Sequence, residues 1–233
     1  MTPSGVPPGF SNPEFEQRLG EVRTRIHELG GDRVRLVAVT KGWGAEVALA
    51  AADAGCVRLG ESYVQELTAK WDAAELSDTR WHFIGQLQTN KVKFLAGRVE
   101  LYESIDRPKL ARTIARLDPG AQVLIQINLT DDPARGGVGW SEVDDLVETS
   151  RELGLDVRGL MTVGVADDPK ATQAGFERLM RTADAQGLAV RSFGMSGDWE
   201  AAIEAGSTEV RLGTVLFGER QTPRGEVDGL PHG

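Results

Sequence analysis

The chain has 233 residues, 35 acidic against 26 basic side chains for a net charge of −9, and 40% hydrophobic content. Such a balance can fill one large core or two small ones, and it excludes a disordered tail protein or a fibrous repeat. The acidity sets the surface against phosphate backbones, so no nucleic-acid partner is expected, and no stretch approaches the roughly 20 apolar residues of a membrane span.

The opening MTPSGVPPGF has neither a basic start nor an apolar run, so no secretory leader is expected. A lone cysteine, Cys56, excludes an internal disulfide and suits a reducing compartment, which gives a soluble cytoplasmic protein as the expectation. Residues 1–12, rich in Pro, Gly and Ser, read as a flexible arm. A helix then starts with Asn12 as cap and Pro13 in the first turn. Phe15, Leu19, Val22, Ile26 and Leu29 form its apolar stripe, and Gly30-Gly31 stop it.

From there short apolar runs alternate with helical spacing. The runs are Val34–Thr40, Val57–Gly60, Trp81–Ile84, Val99–Ser104, Val123–Asn128, Val157–Met161, Val190–Phe193 and Val210–Leu212. Helices are read after Asp106-Arg107-Pro108 (Leu110, Ile114, Leu117), from Ser141 to Leu153, and after Asp168-Pro169 (Phe176, Leu179, Met180, Ala183). Runs apolar on both faces suit a parallel sheet covered by helices, and eight of them are what a closed (β/α)8 barrel needs. An open doubly wound sheet is the competing α/β arrangement, because periodicity is silent on closure. No linker divides residues 13–220, so a single domain is expected, and 221–233 read as a second flexible terminus.

In a parallel barrel the residues ending each strand share one face. Lys41 ends the first run, and the chain holds only six lysines. Either its amine is partly desolvated and attacks a carbonyl, or it is a surface lysine with a buried stem. Two glycine-bearing turns, Gly194-Met195-Ser196-Gly197-Asp198 and Arg211-Leu212-Gly213-Thr214, follow the seventh and eighth runs, where barrels commonly hold phosphate. Their backbone N–H groups, with the Ser196 and Thr214 hydroxyls, could cradle an anion, or the turns could simply turn, with Asp198 as a helix cap. Arg211 demands an acceptor: a ligand, or Glu61, Glu66 or Glu209. His82, set among apolar neighbours, reads as a hydrogen-bonded core histidine, while Asn90 and Lys91 either reach a ligand or solvate a helix. His27, His82, His232 and Cys56 lack ligand spacing, so no metal is expected, and no Walker or GxGxxG motif occurs.

Taken together these segments resemble the YggS/PROSC type of pyridoxal phosphate homeostasis proteins, from the first helix to Arg220. The likeness is carried by AVTK at Ala38–Lys41, GESYVQE at Gly60–Glu66, WHFIGQLQTNK at Trp81–Lys91, GLM at Gly159–Met161, GMSGD at Gly194–Asp198 and EVRLGTVLFGER at Glu209–Arg220. It implies the alanine-racemase N-terminal barrel, preceded by a helix and without the second β domain. It implies pyridoxal phosphate as cofactor, with Lys41 forming the Schiff base. Ser196, Gly197, Gly213 and Thr214 would hold the phosphate, and Arg211 would face the pyridine nitrogen. Ser62, His82, Asn90, Met161 and Met195 lie in the shared motifs as further candidate contacts. Three departures stand out: Ser62 for the family asparagine, Arg135-Gly136-Gly137 for a lysine-serine-glycine stretch, and Gly42-Trp43-Gly44 for a more polar run.

An arginine facing the ring nitrogen can only donate a hydrogen bond, which leaves a weak electron sink. The resemblance therefore implies a monomeric protein that stores the cofactor and delivers it to apo-enzymes. A single-domain racemase-like enzyme is the alternative, with Tyr63 and Tyr102 the only tyrosines for a second base. A barrel for another phosphorylated metabolite would need only the two turns.

Overall fold

The first helix, α1, spans Asn12–Glu28 and buries Phe15, Leu19, Val22 and Ile26 as the stripe predicts. In the computed structural model, which describes residues 10–72, 76, 79–130 and 132–219, Asn12 is already helical and Ser11 takes the cap position. Phe10 is buried as well, its ring 5.9 Å from Phe15 and 6.1 Å from Trp43. The end of the expected flexible arm is thus packed, because an aromatic ring there finds apolar partners that outweigh the Pro and Gly around it. Residues 1–9 and 220–233 lie outside the described residues, and with them the expectation of loose termini.

Eight strands follow: β1 Arg35–Val39, β2 Arg58–Glu61, β3 Arg80–Phe83, β4 Leu101–Ile105, β5 Gln122–Ile127, β6 Asp156–Thr162, β7 Val190–Ser192 and β8 Glu209–Leu212. All pair in parallel in sequence order, and β8 closes on β1 with Arg35 opposite Glu209 and Ala38 opposite Leu212. The sheet is closed, so the open doubly wound alternative falls. Between strands lie α2 Ala45–Asp53, α3 Val64–Trp71, α4 Pro108–Leu117, α5 Val143–Glu152, α6 Pro169–Ala185 and α7 Trp199–Glu204, with α8 Thr214–Phe217 last. A 3₁₀ segment, Thr89–Phe94, connects β3 to β4.

The helices bury the faces their spacing predicts. In α4 these are Leu110, Ala111 and Ile114; in α6 they are Phe176, Leu179 and Ala183, after Asp168 caps the Ala171 N–H. The main core lies between the strands and this helical ring. Inside the barrel only Leu101, Leu124, Met161 and Val190 form a separate apolar cluster. The rest of the interior departs from the expectation of strands apolar on both faces. Glu103 of β4 hydrogen-bonds Ser192 of β7, strands that are not neighbours, so this bond crosses the barrel interior.

Candidate functional site

The strands are parallel, so every strand-ending residue reaches the same rim. Lys41 stands two residues past β1, beside the Gly213-Thr214 turn of the adjoining β8. The backbone around it is fixed from three directions. The Thr40 N–H donates to the Gly60 carbonyl at 3.1 Å and its hydroxyl to Glu61 Oε1 at 2.6 Å. Lys70 Nζ, from α3, donates to the Thr40 carbonyl at 2.8 Å and to Glu61 Oε1 at 2.5 Å. Beyond Lys41, the Gly42 N–H donates to Glu66 Oε2 at 2.6 Å. Burial pushes the Glu61 carboxyl above the usual range even with the Lys70 ammonium against it. GESYVQE is therefore largely a clamp on the Lys41 loop. Trp43 is buried against Phe10 and Phe217, which ties the same loop to α1 and α8. Lys41 itself is exposed.

The two glycine turns also meet at this rim. The Val215 N–H donates to Ser196 Oγ at 3.3 Å, so the hydroxyl joins the β7 and β8 turns. The turn needs glycine at Gly194, whose φ is +99° and where a Cβ would sit 2.6 Å from that of Ala202. At Gly197 a Cβ would meet nothing within 4 Å. Asp198 occupies the cap position of α7 but makes no cap bond there; its carboxylate accepts the Met195 N–H at 2.6 Å and so tightens the turn. Ser196 is half-buried, and Gly197 and Thr214 are exposed.

Below the rim the interior charges assemble. Arg211 is 3% exposed; its Nη1 donates to Ser192 Oγ at 2.6 Å and its Nη2 to the Thr162 carbonyl at 2.7 Å. Its nearest carboxylate is Glu103 at 3.7 Å. Glu61 and Glu66, the sequence candidates for that role, are committed to the Lys41 loop instead. Glu103 Oε2 accepts from Ser192 at 2.7 Å, and Oε1 meets His82 Nδ1 at 2.7 Å. Burial alone would lower the His82 pKa, but the surrounding Glu100, Glu103 and Glu209 outweigh it and raise it to about 9. Burial would raise Glu103, yet His82 and Arg211 hold it below the usual range. Glu209 is pushed up to about 7 by burial and by the neighbouring Glu103, and among the described residues neither of its carboxylate oxygens has a hydrogen-bond partner. His82, Glu103 and Glu209 lie within 4.8 Å of one another, a grouping that the wide sequence spacing of the histidines does not reveal.

The remaining candidates separate. Ser62 lines a 400 Å³ depression with Tyr63, Gln86 and Lys91, and a Cβ at Gly85 would strike the Ser62 carbonyl. Asn90 is exposed on the 3₁₀ segment beside it. Met161 belongs to the interior apolar cluster, and Met195 lines a 620 Å³ groove with Arg135, Val163 and Phe176. Tyr102 is buried, its hydroxyl donating to Asp118 at 2.9 Å, whereas Tyr63 is exposed. Cys56 is buried, and burial pushes its thiol up to about 11, away from the thiolate form a nucleophile needs. Glu103, Ser192 and Thr162 escaped sequence reading. The one signal for Glu103 was a carboxylate inside the apolar run Val99–Ser104.

The profile of the family described as alanine racemase, N-terminal domain, matches residues 14–221. A pyridoxal phosphate homeostasis protein of Aquifex aeolicus is 37% identical over 223 residues, covering 88% of this chain and 98% of that one. Its counterpart in Escherichia coli is 38% identical over 229 residues, covering 89% and 97%. Among solved structures, PipY of Synechococcus elongatus with PLP bound superposes with a TM-score of 0.76 at 30% identity, covering 88% of this chain and all of that one. Among the described residues no helix is long and apolar enough to cross a membrane.

Proposed function

We propose, from the premise that this chain belongs to the alanine racemase N-terminal domain family and within it to the pyridoxal phosphate homeostasis proteins, that its barrel mouth holds pyridoxal phosphate for storage and delivery. The observation that carries this is Arg211. A guanidinium has five N–H donors, and among the described residues only two of them are engaged, although the side chain is nearly fully buried. Such a group calls for an acceptor, and a pyridine nitrogen is one.

The rim matches the rest of the molecule. Ser196 joins the two turns that would hold the phosphate, with Gly213 and Thr214 on one side and Gly197 on the other. Lys41, two residues past the strand adjoining β8, lies on a backbone that Glu61, Lys70 and Glu66 hold still. When bound, the cofactor supplies an aldehyde that condenses reversibly with a lysine amine. A guanidinium offers only donors, so Arg211 would hold the ring nitrogen as an acceptor. Tyr102 is buried with its hydroxyl donating to Asp118, which leaves the exposed Tyr63, two residues past β2, as the other described tyrosine. The arrangement suits retention over turnover.

The test is the visible spectrum of the purified full chain with added pyridoxal phosphate. A band that borohydride removes and that peptide mapping assigns to Lys41 is expected, and Lys41→Ala abolishes it. A colourless protein that gains no band overturns the reading. Transfer of the cofactor to an apo-enzyme, without turnover across an amino-acid panel, separates delivery from racemase chemistry.

A further inference from the structure

Arg211 is not merely neutralised; it is held at two of its nitrogens. Its Nη1 and Nη2 are fixed by groups on two different strands, the Ser192 hydroxyl of β7 and the Thr162 carbonyl of β6. Ser192 accepts from Arg211 while its own hydroxyl donates to Glu103 Oε2, which fixes the direction of its lone pairs. Glu103 is in turn held by His82 through its other oxygen. Glu103 and Ser192 are fully buried, and His82 nearly so. An arginine needing only a counter-charge would be served by one carboxylate in any pose. A chain of three side chains from β3, β4 and β7 fixes its orientation instead, and orientation is what a single directed contact to a flat ring requires.

We propose that Glu103, anchored by His82 and acting through Ser192, is the positioning residue that aims Arg211 at the cofactor ring. This rests on the reading of the mouth as a pyridoxal phosphate site. A divalent cation is the other chemistry that His82, Glu103 and Glu209 could serve. Arg211, 3.7 Å from Glu103, opposes a second cation, and the His82–Glu103 hydrogen bond already uses the donor atoms it would need.

Two measurements on the full chain test the proposal. The first needs no cofactor: nuclear magnetic resonance of the Arg211 guanidinium reports how fast it rotates. Glu103→Gln and Ser192→Ala are each expected to speed that rotation at least tenfold, while Glu66→Gln, at the Lys41 loop, leaves it unchanged. Ser192→Ala strands no charge, so it serves if Glu103→Gln does not fold. The second is a double-mutant cycle on pyridoxal phosphate affinity. Ser192→Ala alone is expected to weaken binding about tenfold, the loss of one charge-assisted contact, and less than twofold in an Arg211→Gln background. Unchanged rotation, additive losses, or stoichiometric zinc uptake that His82→Gln abolishes each overturn the positioning role. If the wild type binds no cofactor, the reading of the mouth fails and the ring contact with it. The rotation measurement then still decides whether Glu103 holds Arg211.

Discussion

Two buried charge clusters lie on opposite faces of the sheet, and they are built on opposite principles. Outside the sheet, between β1, β2 and α3, Lys70 and Glu61 form a 2.5 Å pair with Thr40 wedged between them. Inside the barrel, two carboxylates, a histidine and an arginine share one volume, and among the described residues Glu209 has no hydrogen-bond partner for either oxygen. The first cluster is a staple: one cation, one anion and a fixed loop. The second keeps donors and acceptors in surplus. A surplus of buried polar atoms costs stability unless something uses it, which is why the inner cluster points to a ligand and the outer one to rigidity.

Removing the outer cation gives the largest expected effect. Lys70→Met strands the Glu61 carboxylate and is expected to cost about 3–5 kcal/mol by urea denaturation. Replacing both partners, as Lys70→Met with Glu61→Leu, is expected to recover most of that loss. A double variant no more stable than the single would show that the pair does more than fix the loop.

The inner cluster is distinguished by pH. The folded His82 pKa, about 9, lies above its ordinary 6.5, so the stability it confers is complete below pH 6.5 and is lost as pH rises through 9. That loss is on the order of 3 kcal/mol. Denaturation midpoints are expected to fall over this window in the wild type and to flatten between pH 7 and 9 in His82→Gln. Glu209, raised to about 7, has the same sign: its share is present below about pH 4.5 and gone above 7. Glu209→Gln removes the buried charge present above pH 7 and is accordingly expected to stabilise the protein at pH 8 by about 1–2 kcal/mol. A destabilised Glu209→Gln would mean that the carboxylate has a use in the folded chain alone.

The smallest expected effect lies where the outer cluster reaches solvent. Glu66 holds the Gly42 N–H but is only half-buried, so Glu66→Ala is expected to cost about 1 kcal/mol. Amide exchange at Gly42 should quicken well beyond that of the neighbouring strand. Unchanged exchange would remove Glu66 from the account of how the Lys41 loop is held.

Local pattern carried much of the architecture. All eight apolar runs became strands, and the stripes of α1, α4 and α6 face the core where the spacing placed them. Periodicity reports which face of an element is apolar, and in a parallel sheet under helices that is nearly the whole specification. The errors came where one residue outweighed its neighbours. Phe10 packs despite a Pro- and Gly-rich context, and Asp198, expected only as a helix cap, accepts the Met195 N–H and tightens the β7 turn instead.

What the sequence determined by itself was the alternation of elements, the rim where strand ends gather, and the residues carried there, among them Lys41, Ser196 and Thr214. What the tertiary structure decided was partnership among buried charges. Arg211 found Glu103 rather than Glu61, and His82 found two carboxylates from β4 and β8, because closing the barrel at one register sets side chains from non-adjacent strands face to face. Local spacing holds no record of that register, whereas the cost of leaving a charge unpaired in a dry interior makes its outcome binding on the whole fold.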